Sequence, residues 1–261
     1  MPKLAANLSM LFTDVDFMDR FEAAAHCGFK GVEYLFPYSR NANELVELLE
    51  KYNLKQVLFN LPAGDWHAGD RGIACDPNRV NEFREGVDLG IEYAKALGCE
   101  QCNALAGLLP QGVSLEQAHG TLVENLKYAA DRMQTAGVML VAEAINTRDM
   151  PRFFLNTSKQ GFDLIKQVNS PNVAFQYDCY HMQIMEGNLT ATIKDNLKNI
   201  GHIQIADTPG RHEPCTGEIN YKFLLNYLDD IGYEGWVGCE YIPKGDTKNG
   251  LGWIESCHVR L

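Results

Sequence analysis

About eight times along its 261 residues, this chain sets a short apolar run against a longer amphipathic stretch. Short runs rich in Val, Ile, Leu and Phe, set between helical patterns, read as strands buried on both faces. The expected strands are Lys3–Leu8, Gly31–Phe36, Lys55–Phe59, Gln101–Leu105, Val138–Ala142, Val173–Tyr177, His202–Ile205 and Trp236–Cys239. Helical patterns occupy Val15–Cys27, Asn43–Asn53, Arg79–Leu97, Ser114–Ala136, Ser158–Asn169, Leu189–Leu197 and Tyr221–Ile231. Asp14 reads as a cap for the first helix, Gly28 and Gly98 close two of them, and Ser114 with Gln117 has capping-box spacing. Eight such units in this length predict a closed parallel barrel, an α/β protein of (β/α)8 architecture with one domain over residues 1–261.

In that architecture the C-terminal ends of the strands face one mouth, where chemistry is placed. The sixth run stops at Asp178, and His181 follows three residues later. A carboxylate at the end of a buried strand has lost much of its water, so it needs a cation, a metal or a strong donor. The fifth run delivers Glu143 in the same way, the eighth delivers Glu240, and the seventh brings Gln204 to a comparable place. Three carboxylates and an amide from successive strand ends can surround one ion. As hard oxygen ligands they suit Mg²⁺ or Mn²⁺. The plainer alternative for any one acid is an ion pair with Arg148, Arg152 or Arg211. Two glutamates beside a metal can pass a proton between neighbouring carbons while the ion polarises a carbonyl, so Glu143 and Glu240 are the candidate catalytic pair.

Other residues are candidates for holding a substrate. His181 faces the mouth if the chain turns helical after Asp178, where it would donate to a substrate oxygen; otherwise it is a loop histidine. Arg211, on the loop after the seventh strand, is suited to a two-pronged grip on a carboxylate, with an exposed arginine as the alternative. His67 and Trp66 lie on the long irregular stretch 61–78 and either close over a ligand or decorate the surface. Asn7 and Asn60 are pocket donors or turn residues, and Tyr34, Phe36 and Phe59 are pocket walls or core. His202 shares the face of Gln204 one layer deeper, as a satisfied core histidine would.

Charge narrows the partners. With 23 basic and 34 acidic residues the net charge is −11, and no basic cluster is present. This argues against nucleic acid and leaves room for a small anionic substrate. The eight cysteines are scattered, and Cys99 and Cys102 read as buried thiols rather than a redox pair. No apolar run approaches membrane-spanning length and the first residues do not resemble a leader, so a soluble, cytoplasmic protein without a membrane partner is expected. A homo-oligomer is compatible with the sequence.

Several stretches carry a resemblance: Ala6-Asn7-Leu8-Ser9, Pro62-Ala63-Gly64-Asp65, Glu143-Ala144-Ile145-Asn146, Asp178-Cys179-Tyr180-His181, Pro209-Gly210-Arg211, Gly217-Glu218-Ile219-Asn220 and Gly238-Cys239-Glu240-Tyr241. With Tyr93–Cys99 and Gly250-Leu251-Gly252-Trp253 they span nearly the whole chain. The chain resembles the hydroxypyruvate isomerases, within the sugar-phosphate isomerase and epimerase barrels of xylose isomerase-like TIM type. The resemblance implies a short 2-oxo acid as substrate, interconverted with its aldehyde isomer through an enediolate. It assigns the proton transfers to Glu143 and Glu240, completes the metal shell with Asp178 and Gln204, and gives substrate binding to His181 and Arg211. The epimerase relatives usually have histidine where Gln204 stands, so this position is a departure from the broader pattern. A 2-oxo-tetronate isomerase and a ketose 3-epimerase are the enzyme alternatives, and a ligand-binding barrel without activity is a further one. DNA-cleaving relatives need several zinc ions and more histidines than the seven present.

Overall fold

The computed structural model describes residues 2–261. Its eight strands close into one parallel barrel in chain order, β1 pairing with β8. They are β1 (Lys3–Asn7), β2 (Gly31–Glu33), β3 (Lys55–Asn60), β4 (Gln101–Asn103), β5 (Met139–Glu143), β6 (Val173–Asp178), β7 (Ile200–Ile205) and β8 (Trp236–Cys239). Helices α1 (Arg20–His26), α2 (Ala42–Tyr52), α3 (Val80–Leu97), α4 (Leu115–Ala136), α5 (Ser158–Val168), α6 (Cys179–Met185), α7 (Leu189–Asn196) and α8 (Tyr221–Asp230) follow in order. Two single-turn helices, α9 (Thr247–Gly250) and α10 (Trp253–Ser256), lie near the C-terminus. This is the (β/α)8 architecture expected from the alternation of apolar runs and helical patterns.

Local chemistry explains most boundaries. Ser114 and Gln117 form the expected capping box at the start of α4, and Thr157 and Gln160 form a second one before α5. Asn53, Gly98, Gly137 and Asn169 end α2 to α5 in the left-handed conformation that Gly and Asn adopt most readily.

Strands β2 and β4 stop at Glu33 and Asn103, short of the expected Phe36 and Leu105, and two helix starts also differ from expectation. The first helix starts at Arg20 after a 3-10 turn over Phe17–Asp19, and Asp14 does not cap it. The Arg20 guanidinium donates to the carbonyls of Leu8 and Val15, so this stretch is tied down outside a helix. An additional helix, α6, begins directly after β6, because the Asp178 side chain accepts from the backbone N–H groups of Tyr180 and His181.

The barrel packs apolar side chains beneath its helices, while its interior near the strand C-termini is polar. The carboxylate oxygens of Glu33 occupy the space beside Gly238, where an added Cβ would lie 2.4 Å from both. Only glycine leaves room for that acid inside the barrel. Cys99 and Cys102 are buried free thiols that burial pushes upward in pKa, as expected of core cysteines.

Candidate active site

Strand β5 ends at Glu143 and β6 at Asp178, both almost fully buried. The helical turn that Asp178 starts carries His181 over the mouth, as a helical segment at that point would. One ligand-type atom each from Glu143, Asp178 and His181 lies within 4.8 Å of the others. The imidazole Nε2 is 3.8 Å from Glu143 Oε1 and 3.5 Å from Asp178 Oδ2. Behind the ring, Asn146 lies 2.7 Å from Nδ1.

Glu240, one residue past β8, approaches from the other side. Its Oε2 accepts from Arg211 Nη2 at 2.5 Å, and its Oε1 accepts from Asn7 Nδ2 at 3.2 Å. The same arginine nitrogen is 3.6 Å from Asp178 Oδ2, so Arg211 bridges acids from β6 and β8. Its guanidinium also lies over the Tyr180 ring, 5.1 Å from the centroid. Arg211 is thus part of the mouth, not an exposed loop residue.

Gln204 is buried, and neighbours set its amide. Its Nε2 donates to Glu33 Oε1 at 2.8 Å, while its Oε1 accepts from Gln176 Nε2 at 2.6 Å. An amide oxygen has two lone pairs, so one remains on Oε1. Glu33 also accepts from Asn7 at 3.0 Å, and its Oε2 lies 2.8 Å from His202 Nε2. His202 is the satisfied core histidine expected from its depth.

Three residues of this network were not singled out from sequence: Glu33, Gln176 and Asn103. Asn103 donates to Glu143 Oε2 and to Asn60 Oδ1, each at 3.1 Å. Gln176 carried a usable signal, because it lies two residues before Asp178 and therefore shares its inward face. Glu33 and Asn103 also end strands, but nothing in their own segments reveals the partners they meet.

Glu143, Glu240, His181 and Arg211 line one cavity of about 130 Å³, together with Gln176, Asn60, Trp66 and several apolar side chains. Asn7 lies beneath it as a donor between two acids. His67 is exposed and does not line this cavity; Trp66, its ring tilted 56° against that of Phe36, does. Tyr34 packs against Phe17 and Phe21, and Phe59 sits in the core beside Tyr38, so neither walls the cavity. A larger apolar groove of about 650 Å³ lies outside the barrel between α4 and α5, and none of the candidate residues reaches it.

Burial dominates the electrostatics. It pushes Glu143 well above the ordinary carboxylate range, and the neighbouring charges of Glu240 and Asp178 push it further. Glu240 is pushed up to about 8 by burial, with Arg211 easing the shift. Asp178 is also raised by burial, against the pull of Arg211 and two backbone N–H groups. Burial, then Arg211, holds His181 well below its usual range, so its ring is neutral.

A divalent cation is the natural remedy for acids crowded in this way. Asp178 Oδ2 is buried and forms no hydrogen bond, and the surrounding donor set is mainly hard oxygen. These residues fit such an ion.

The fold and site together define a parallel (β/α)8 barrel with an acidic, oxygen-rich mouth. A model of the xylose isomerase-like TIM barrel family matches residues 21–257, and the chain belongs to this family. A hydroxypyruvate isomerase of Escherichia coli (strain K12) is 51% identical over 255 residues, covering 98% of this chain and 99% of that protein. A 2-oxo-tetronate isomerase of Cupriavidus necator is 46% identical over 255 residues, covering 98% of each chain. A Brucella melitensis crystal structure described as an AP endonuclease of family 2 superposes with a TM-score of 0.96 at 46% identity. The match covers 98% of this chain and 99% of that one.

Proposed function

We propose that this protein is a hydroxypyruvate isomerase, interconverting hydroxypyruvate and 2-hydroxy-3-oxopropanoate through an enediolate. The observation that carries the reading is that Glu143 and Glu240, from strands far apart in sequence, line the same small cavity as His181 and Arg211. The identities of 51% to a hydroxypyruvate isomerase and 46% to a 2-oxo-tetronate isomerase support this class of substrate.

The chain's own groups suffice to describe the proton path. Arg211 is the cation placed to hold the substrate carboxylate, and His181 is placed to donate to a substrate oxygen. One glutamate, as a carboxylate, removes a proton from the hydroxyl-bearing carbon; the other, as a carboxylic acid, protonates the former carbonyl carbon. A second proton moves from one substrate oxygen to the other, so the product is an isomer with no net oxidation. The two glutamates exchange roles when the direction reverses. A divalent cation, Mg²⁺ or Mn²⁺, held by Glu143, Asp178, Gln204 and Glu240 would favour the ionised form of the glutamate that serves as base and polarise the 2-oxo group. Trp66, which lines the cavity, is placed to shield the enediolate from water.

The alternative substrate is 2-oxo-tetronate, which needs the same chemistry and room for one more hydroxymethyl group. A ketose 3-epimerase would use the same acids on a substrate without a carboxylate, leaving Arg211 without its anionic partner. DNA cleavage, suggested by the description of the Brucella protein, fits poorly with a net charge of −11 and an acidic mouth. The deciding experiment assays hydroxypyruvate, 2-oxo-tetronate and free ketoses with purified, Mg²⁺- or Mn²⁺-loaded protein. Turnover of neither acid rejects the reading.

A further inference from the structure

Glu143, Asp178 and His181 have the mutual spacing of a metal-binding triad, which makes the histidine look like a ligand. The hydrogen bonds behind its ring point the other way. Asn146 Oδ1 accepts from the backbone N–H groups of Arg148, at 3.0 Å, and Asp149, at 2.8 Å. Backbone N–H groups only donate, so this end of the amide must be oxygen. Its Nδ2 donates to Asp149 Oδ2 at 3.0 Å, an oxygen that also receives the Tyr180 hydroxyl at 2.7 Å. Turning the amide over would set nitrogen against two N–H groups and oxygen against a carboxylate.

The end of Asn146 facing His181 is therefore an N–H donor, 2.7 Å from Nδ1. Nδ1 must accept, and a neutral imidazole that accepts at Nδ1 carries its proton on Nε2. Nε2 is the nitrogen that faces Glu143 and Asp178.

We propose that Asn146 is a positioning residue that locks His181 in the Nε2–H tautomer, making it a hydrogen-bond donor to substrate oxygen and excluding it from the cation's ligands. A nitrogen that carries a proton has no lone pair for a metal. The cation shell is then built from oxygen, which favours Mg²⁺ or Mn²⁺ over metals that prefer nitrogen. Only the identity of the substrate oxygen rests on the proposed function; the tautomer does not.

The test is nitrogen NMR of protein labelled with ¹⁵N-histidine, the His181 signals being assigned with His181→Gln. Metal-free and Mg²⁺-loaded samples are compared. The Nε2–H pattern is expected in both, with loss of the preference in Asn146→Ala and a shift towards Nδ1–H in Asn146→Asp. Those variants should also lose about 10- to 100-fold in kcat, the range typical of residues that orient a working histidine. An Nδ1–H wild type, a Mg²⁺-induced shift showing ligation at Nε2, or an unchanged tautomer in a folded Asn146→Ala each overturns the proposal. The wild-type spectra decide the tautomer even if both variants misfold. Failure of the wild type to turn over either acid would reject the functional reading alone and leave the tautomer standing.

Discussion

Strands β1, β3 and β4 end in Asn7, Asn60 and Asn103, whereas β5 and β6 end in Glu143 and Asp178 and β8 runs directly into Glu240. The early half of the mouth thus presents amides where the late half presents acids. The amides reach across to those acids: Asn103 donates to Glu143, and Asn7 donates to Glu240. A neutral donor steadies a carboxylate's position without a competing positive charge that would hold it permanently ionised. Glu33, at the end of β2, is the exception in the early half. It accepts from Asn7 and Gln204, and so orients groups that face the mouth without lining the cavity itself. Under the proposed reaction the same strand position would therefore serve two ends, moving protons in one half and aiming the groups that move them in the other.

If that division is right, substitutions should sort by half. Glu143→Gln and Glu240→Gln should each lower kcat by about 10²- to 10⁴-fold, the usual weight of a general acid or base. Melting temperature should not fall in Glu143→Gln, which removes a buried acid without a cation in hydrogen-bond contact, and should hold less well in Glu240→Gln, which takes the ion-pair partner from Arg211. Arg211→Ala should raise KM by roughly 10- to 100-fold with a smaller change in kcat, the loss of a charged hydrogen bond to a carboxylate. Asn103→Ala and Asn7→Ala, in the early half, should cost only about tenfold in kcat, as residues that orient others do. Steady-state kinetics on the metal-loaded protein measures all of these. A loss in Asn103→Ala as large as that in Glu143→Gln would break the division between halves.

The late half was far more legible in the sequence than the early half, for a physical reason. Val173–Tyr177 is an apolar run that ends abruptly in an acid, and a buried unpaired carboxylate is costly enough to demand an explanation. Glu143 and Glu240 stand out in the same way. Asn103 does not, because an asparagine near a strand end is equally well explained by a turn. Glu33 lay in an expected strand, but its value comes from Gln204, His202 and Asn7, partners up to 171 residues away in sequence. Those contacts depend on barrel closure and register, which periodicity does not encode. His67 and Trp66 show a related limit: both alternatives stood open for each, and loop 61–78 turns Trp66 to the cavity and leaves His67 exposed, a choice that no strand or helix periodicity encodes.

The smallest expected effect concerns stability and pH, and it sharpens the contrast by asking what each half does to the acids' charge. In the fold, burial raises Glu240 from 4.5 to about 8, and Glu143 is also held well above 4.5. Between those values the folded chain keeps protons that the unfolded chain releases, so the unfolded chain binds fewer protons and stability falls as pH rises. The stabilisation from Glu240 is complete below about pH 4.5 and lost above about pH 8. Melting temperature in a chelating buffer should therefore decline across this window. Glu143→Gln and Glu240→Gln should each flatten the slope relative to wild type. Asn103→Ala should steepen it, because the Asn103 hydrogen bond favours the ionised form of Glu143. Adding Mn²⁺ should oppose the decline by stabilising the carboxylates as they ionise. A slope unchanged in both glutamine variants would mean that the late-half acids are already ionised in the metal-free fold. The early amides would then have no charge balance to tune.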